Sequence, residues 1–377
     1  MIAVRIDAAF DGGSIINLGA DGSTATLSLR SDSDSNFLQW FCFRSFDDPG
    51  QMRRFHIINA GASEYPDAWD NYRVCASYEG GEWFRVPTTF DGQSLHFEVF
   101  SERRGITLAA AHAYSQGRVK RLLSRARRSG LSNIQILGRT KQDRPVPAVT
   151  IGSRRANSTR IWVLARQHPG ETMASWCAEG LIDRLILTDD AAADFLREEA
   201  EITVVPCVNV DGAVLGNHRS NAAGCDLNRS WNAPNLVSTP ETFCIAQAIR
   251  QSGVDLFIDL HGDESVPHVF MAGCEGNPSF SARIASLEAD FAGLLAERNA
   301  AFSEDAGYGK DAPGKADLSC AANWVGERFD CLALTLEIPF KEALGDPSPT
   351  GGWTPEQSTS LGADLVDVMV SLLPDLR

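Results

Sequence analysis

Within Gln167-His168-Pro169-Gly170-Glu171-Thr172, an imidazole and a carboxylate stand three residues apart, where an apolar run gives way to a helical pattern. One turn can aim both side chains at a single point. Zinc takes nitrogen and oxygen ligands, and a catalytic zinc site uses three protein ligands with one position left open for water. The third ligand is expected from Phe257-Ile258-Asp259-Leu260-His261-Gly262, where an apolar strand delivers His261 at its carboxyl end, the end at which α/β sheets form their ligand crevices. A His and a Glu at this spacing are by themselves more often a surface hydrogen-bonded pair. The reading therefore leans on the second motif and on two polar segments lying between them, Gly216-Asn217-His218-Arg219 and Asp226-Leu227-Asn228-Arg229.

The elements that must position these residues follow from the hydrophobic pattern. Strand-length apolar runs at 160–165, 202–207, 256–260 and 332–336 alternate with helical stretches at 172–187, 240–252 and 278–299. Such alternation predicts an α/β fold with a mixed, largely parallel sheet flanked by helices. Ahead of it, a basic amphipathic helix begins after Tyr114 and ends near Gly130, and extended stretches at 134–138 and 146–151 flank the polar turn Lys141-Gln142-Asp143-Arg144, as in a hairpin. From residue 1 to about 107, short apolar runs at 25–29, 38–43, 53–58, 72–76 and 94–100 are separated by Gly, Asp, Asn and Ser, with turns expected at Asp11-Gly12, Asp21-Gly22 and Asp91-Gly92. An antiparallel β-sandwich is expected there. The chain would thus divide into a β-sandwich domain, 1–110, and an α/β domain, 111–377. His56, His96 and His112 lack near partners and read as core or surface histidines.

Composition bounds the function. With 377 residues, 44% hydrophobic and 22% charged, the chain can bury a substantial core, which excludes disordered, collagen-like and small disulfide-built proteins. A net charge of −15 repels polyanions, so no nucleic-acid partner is expected. The basic residues Arg118, Lys120, Arg121, Arg125, Arg127 and Arg128 read as a solvated helix face rather than an anionic docking site. The opening MIAVRIDAAFDGGS lacks the apolar run of a secretory signal. Residues 105–117, the longest run without a charged side chain, number 13, short of the ~18 a membrane span needs, so no membrane partner is expected. Nine cysteines with no CxxC pair fit reduced thiols in a cytoplasm.

Taken in order, HPGE at 168–171, GNHR at 216–219, DLNR at 226–229, DLHG at 259–262 and Thr335-Leu336-Glu337 resemble the zinc metallocarboxypeptidases related to carboxypeptidase A. With a β-domain in front, the chain is most similar to the bacterial type of the cytosolic carboxypeptidase branch. The resemblance implies that residues 111–377 form the catalytic domain and that His168, Glu171 and His261 bind one Zn²⁺ per chain. It also implies that Asp226 accepts the ring N–H of His168 and fixes its tautomer. Glu337 would take a proton from the metal-activated water and return it to the leaving amine. Arg219 would stabilise the oxyanion, a role suited to a guanidinium that is always charged. Asn228 and Arg229 would grip the substrate's terminal carboxylate, and Tyr308 would be the substrate-binding tyrosine. His218 and His268 look incidental. Where eukaryotic relatives carry a Gly-Thr-Ala/Gly-Arg-Val pattern, this chain reads Gly314-Lys315-Ala316-Asp317-Leu318. A preference for acidic side chains is therefore not carried over. Lys310, Lys315, Arg328 and Asp317 all lie in the segment expected to line the side-chain pocket.

The activity implied is removal of the last residue from peptide or protein C-termini. Two alternatives stand beside it: a zinc-dependent N-acyl amino acid hydrolase of the aspartoacylase kind, and a non-catalytic protein-binding module. The leading β-domain and the DLHGD and TLE contexts favour the peptidase, and a complete ligand set argues against a silent scaffold. Oligomeric state is left open. Purified protein is expected to carry close to one Zn²⁺ per chain and to lose activity on chelation, and fully active protein without zinc by elemental analysis would refute the ligand set.

Overall fold

The computed structural model describes residues 4–376 except 47, 79–80, 156, 188 and 346–350, so the first three residues of the apolar opening lie outside the described residues. Ten strands come first: β1 (Arg5–Asp7), β2 (Ile16–Asp21), β3 (Thr24–Ser28), β4 (Cys42–Phe46), β5 (Gln51–Ile57), β6 (Val74–Tyr78), β7 (Trp83–Val86), β8 (Thr88–Phe90), β9 (Leu95–Ser101) and β10 (Gly105–Ala109). They form two five-stranded sheets, ordered β1-β4-β10-β6-β7 and β2-β3-β5-β9-β8. Side chains alternate across each strand, so that Leu27, Phe55, Phe97, Phe43 and Leu108 bury one face of each sheet. Phe43 meets Phe55 across the sandwich with ring centroids 5.6 Å apart.

One pairing departs from the antiparallel expectation, because β3 and β5 run parallel. Between them the chain crosses to the other sheet to form β4 and re-enters in its original direction. For the same reason the Asp11-Gly12 turn joins strands of different sheets, whereas Asp21-Gly22 closes the β2–β3 hairpin. His56 and His96 stack on neighbouring strands, centroids 4.2 Å apart, and His112 is buried, as structural histidines are.

The second part contains α1 (Gln116–Ser129), β11 (Ser132–Arg139), β12 (Pro145–Gly152), β13 (Thr159–Ala165), α2 (Thr172–Ile186), α3 (Ala191–Glu199), β14 (Ala200–Val205), α4 (Val210–Leu215), α5 (Pro240–Ser252), β15 (Leu256–Asp263), β16 (Phe270–Ala272), α6 (Ala282–Ala296), α7 (Ala321–Phe329), β17 (Leu332–Pro339) and α8 (Pro355–Leu372). Its seven strands lie in the order β11-β12-β14-β13-β15-β17-β16. The four central strands are parallel, and β11, β12 and β16 are antiparallel. Helices cover both faces, which is why β15 is buried along its whole length and β13 at every position but one. From β13 the chain passes through α2 and α3 to β14 on one side, and from β14 it crosses back to β15 on the other. That reversal opens a crevice beyond the carboxyl ends of β13 and β15.

The basic helix α1 is capped by the Ser115 side chain and ends at Gly130 in the left-handed region, and it buries Val119, Leu122 and Ala126. Its cations are not all solvated. Arg118 donates to Glu179 at 2.7 and 3.1 Å, and Arg125 donates to both Glu179 and Asp183 on α2. Burial pushes the Glu179 carboxyl up, but the hydrogen-bonded arginines outweigh it and hold it below the usual range. A carboxylate with a depressed folded value stabilises above its unfolded value, and that contribution is lost as pH falls through the folded value. Glu179→Gln is therefore expected to lower stability at pH 7 by about 1–3 kcal/mol. In urea titrations the gap to wild type should narrow as pH falls below about 4.3; a gap that stays constant would contradict this pairing.

Candidate active site

Three strand ends deliver the site. β13 ends at Ala165, and a short loop carries His168 and Glu171 before α2 begins. Buried Arg166, in the left-handed region at φ +63°, pins this loop by donating to Pro169 O and Tyr114 O, each at 2.7 Å. Gly170 lies so close to His218 that a β-carbon would sit 2.3 Å from its Nδ1, so glycine is required between the two candidate ligands. His261 comes from β15 and Glu337 from β17, and the parallel register places these two residues directly opposite each other.

His168, Glu171 and His261 converge, with candidate ligand atoms all within 4.8 Å of one another. His168 Nδ1 lies 2.7 Å from Glu171 Oε1, and His261 Nδ1 lies 2.8 Å from Glu171 Oε2. Each imidazole is held from behind. His168 Nε2 is 3.0 Å from Asp226 Oδ1, and His261 Nε2 is 2.9 Å from Asp259 Oδ2. Two inward nitrogens and a carboxylate, each imidazole backed by an acid, are a donor set that fits zinc. Burial works against charge on both imidazoles, yet the facing carboxylates raise their proton affinity. The imidazoles in turn hold Glu171 well below the carboxylate range, against the effect of burial.

Around this cluster lies a cleft of about 870 Å³, lined by Arg219, Asn228, Arg229, Tyr308 and Glu337 as well as the three candidate ligands. Asp226 stands behind it, bridging His168 to Arg219, whose Nε donates to Oδ2 at 2.7 Å. Burial pushes the Glu337 carboxyl up to about 8, with His261 opposing and Glu171 adding to the rise. Among the described residues its buried Oε2 has no hydrogen-bond partner, and its Oε1 lies 3.3 Å from the Tyr308 hydroxyl, which also lies 2.9 Å from Asp263 Oδ2. Asn228 is buried and accepts from the Ala321 N–H at the start of α7. Arg229 is half-exposed and only loosely paired, 3.7 Å from Asp317. Of the other cations expected near the pocket, Lys310 lines the cleft and pairs with Glu275 at 2.8 Å, whereas Arg328 lies over Trp324.

Residues 122–359 match the zinc carboxypeptidase family, and residues 6–110 match the cytosolic carboxypeptidase N-terminal domain. The chain belongs to the zinc carboxypeptidase family. A metallo-carboxypeptidase from Pseudomonas aeruginosa, solved in complex with (2-guanidinoethylmercapto)succinic acid, is 41% identical with a TM-score of 0.94, covering 99% of this chain and all of that one. A metallo-carboxypeptidase from Burkholderia cenocepacia is 36% identical with a TM-score of 0.95, covering 98% of this chain and 99% of that one. Cytosolic carboxypeptidase 2 of Danio rerio is 28% identical over 284 residues, 66% of this chain; the match spans 39% of the Danio rerio protein. As a zinc carboxypeptidase the chain is a metal-dependent hydrolase, in keeping with the motif resemblance. Among the described residues no helix is long and apolar enough to cross a membrane.

Sequence reasoning on this zinc carboxypeptidase passed over Asp259, Asp263, Asp32 and Tyr65. Asp259 had a readable signal, since positions i and i+2 of a strand share a face and Asp259 precedes His261 by two. It is fully buried and also accepts from Gln167 Nε2 at 2.6 Å. Asp259→Asn is expected to weaken zinc affinity by about 10–100-fold, measured by competition with a chelating dye; an unchanged affinity would remove Asp259 from the support of His261.

Proposed function

We propose that this zinc carboxypeptidase removes single residues from the C-termini of peptides or proteins, with His168, Glu171 and His261 holding one Zn²⁺ per chain. The observation that carries the reading is the meeting of a buried His-Glu-His cluster with Glu337, one strand away in register, inside a cleft that also holds two arginines. When bound, zinc supplies Lewis-acid polarisation of the scissile carbonyl and of the attacking water.

The chain's own residues carry the other steps. Glu337 accepts the proton of the water and hands it to the leaving amine. Burial favours its protonated form, which suits the return of the proton to the leaving amine. Arg219, oriented by Asp226 and still charged despite its burial, stabilises the developing oxyanion. The Tyr308 hydroxyl turns from Asp263 and Glu337 to the substrate. Arg229 has few partners of its own, so a substrate carboxylate would satisfy its guanidinium, with the Asn228 amide beside it. A fork occupied by a free carboxylate leaves its donors unpaired when the chain continues, which disfavours internal bonds. That the Pseudomonas aeruginosa relative is solved with a succinic acid derivative supports a carboxylate-binding cleft. Likeness over the whole chain, sandwich included, favours the peptidase over the acylase reading.

The reading extends to a domain division at 110/111 and to a cytoplasmic setting, which nine unpaired thiols support. Amidating the last residue of a good peptide substrate is expected to lower kcat/KM by roughly 100-fold or more, and Arg229→Ala should erase most of that discrimination. Glu337→Gln should keep zinc while kcat falls by about 10²–10⁴-fold. Equal cleavage of free and amidated peptides would sink the exopeptidase reading, and turnover of N-acyl amino acids with no peptide cleavage would move the assignment to the acylase.

A further inference from the structure

Between α4 and the single 3₁₀ turn Leu227–Arg229 the chain runs as an irregular loop, residues 216–226, and this loop carries Arg219. Outside helices and ladders, its amides need other acceptors. Three successive amides find one in the β-sandwich. Asp32, nine-tenths and more buried at 5% exposure, accepts from the N–H of His218 at 2.6 Å through Oδ1. Its Oδ2 accepts from the N–H of Arg219 at 2.8 Å and of Ser220 at 2.7 Å. Asp32 is itself fixed by its N–H bond to Phe37 O, and the next residue, Ser33, donates through N–H and Oγ to Asn217 Oδ1. Gly216 stands at φ +71° where a β-carbon would fall 2.5 Å from Gly13 O, so the two backbones meet with no room for a side chain.

The same sandwich reaches the guanidinium. Tyr65, which lines the cleft, accepts from Arg219 Nη1 at 3.2 Å. Phe37 stacks on His218 with centroids 5.5 Å apart and planes within 4°, and it sits under the Arg219 guanidinium at 5.7 Å.

We propose that the β-sandwich is a working part of the active site, with Asp32 and Tyr65 as positioning residues that hold Arg219 by its backbone and by its guanidinium. The inference rests on the reading of Arg219 as the oxyanion donor. A side chain that stabilises charge only in the transition state must be in place beforehand, and a misplacement of about 1 Å can cost 10²-fold in rate. Asp226 fixes one edge of the guanidinium. The anion of Asp32 fixes the backbone from which the side chain departs, using amide donors that cluster around a negative charge.

Asp32→Asn preserves shape but replaces one acceptor oxygen with a donor, leaving at least one of the three amides unpaired. It is expected to lower kcat by about 10–100-fold with KM changed less than about 3-fold, with zinc content retained, and to speed hydrogen exchange at amides 218–220. Tyr65→Phe, which removes one hydroxyl and leaves the ring packing, should lower kcat by about 3–10-fold and keeps the test open if Asp32→Asn does not fold. Both effects should vanish in an Arg219→Ala background, because residues acting through one group are not additive. If Arg219→Ala itself leaves kcat unchanged, the reading of Arg219 falls and this inference with it. If Arg219→Ala is impaired but the Asp32 or Tyr65 substitution either does nothing or multiplies the loss, the inference alone is overturned.

Discussion

Withdrawing carboxylates from water costs several kcal/mol apiece unless each meets a cation or a set of donors, and this protein gathers Glu171, Asp259, Asp226 and Glu337 at one edge of a sheet. Glu171 lies between two imidazoles, Asp226 lies between His168 and Arg219, and Asp259 is shared by His261 and Gln167. A divalent ion among the inward nitrogens would add the positive charge that the cluster lacks. Among the described residues Asp259 and Glu337 each keep one buried oxygen without a hydrogen-bond partner; burial raises the proton affinity of Glu337 to about 8, with Glu171 adding to the rise.

The parallel sheet meets this constraint by bringing separate segments to the same end. His261 and Glu337 stand opposite each other because β15 and β17 share a register over eight residue pairs. A slip of one residue would turn Glu337 to the other face of the sheet and take its carboxylate out of the cleft. Packing holds the register on both faces, since Leu256, Phe257, Ile258 and Leu260 are buried alongside Leu332, Ala333, Leu334 and Leu336. The loop that carries His168 gains its rigidity from the buried Arg166, whose guanidinium bonds replace the ladder hydrogen bonds that end with β13.

The β-sandwich is joined to the α/β part by specific polar contacts as well as apolar packing. Arg85 donates to Phe340 O and Trp353 O, both at 3.0 Å, so that it clasps the chain just beyond β17. Asp32 does the same for the loop between the two central motifs. One buried apolar cluster runs from Phe43 and Leu108 in the sandwich to Ile161, Leu260 and Leu365 beyond it. The cleft is therefore lined from each part of the chain, by Tyr65 from the sandwich and Tyr308 from the α/β part.

The local chemistry was legible in the sequence. HPGE and DLHG follow or end apolar runs of strand length, and a parallel sheet sends such ends to one side, so periodicity pointed to His168, Glu171 and His261 as neighbours, whereas Glu337 was singled out by the motif resemblance. The hairpin at 134–151 and the helix at 240–252 were legible for the same reason, each being specified by residues next to one another. Other features depended on contacts between distant segments. The parallel β3–β5 pair, the salt bridges that take Arg118 and Arg125 out of solvent, and the grip of Asp32 on residues 218–220 join positions between 30 and nearly 190 apart. An aspartate in a Ser-Asp-Ser-Asp-Ser turn carries no local sign of its partners. Its meaning arises only when packing brings an irregular loop with unpaired amides against it, and that juxtaposition is decided by the tertiary structure because no short-range preference encodes it.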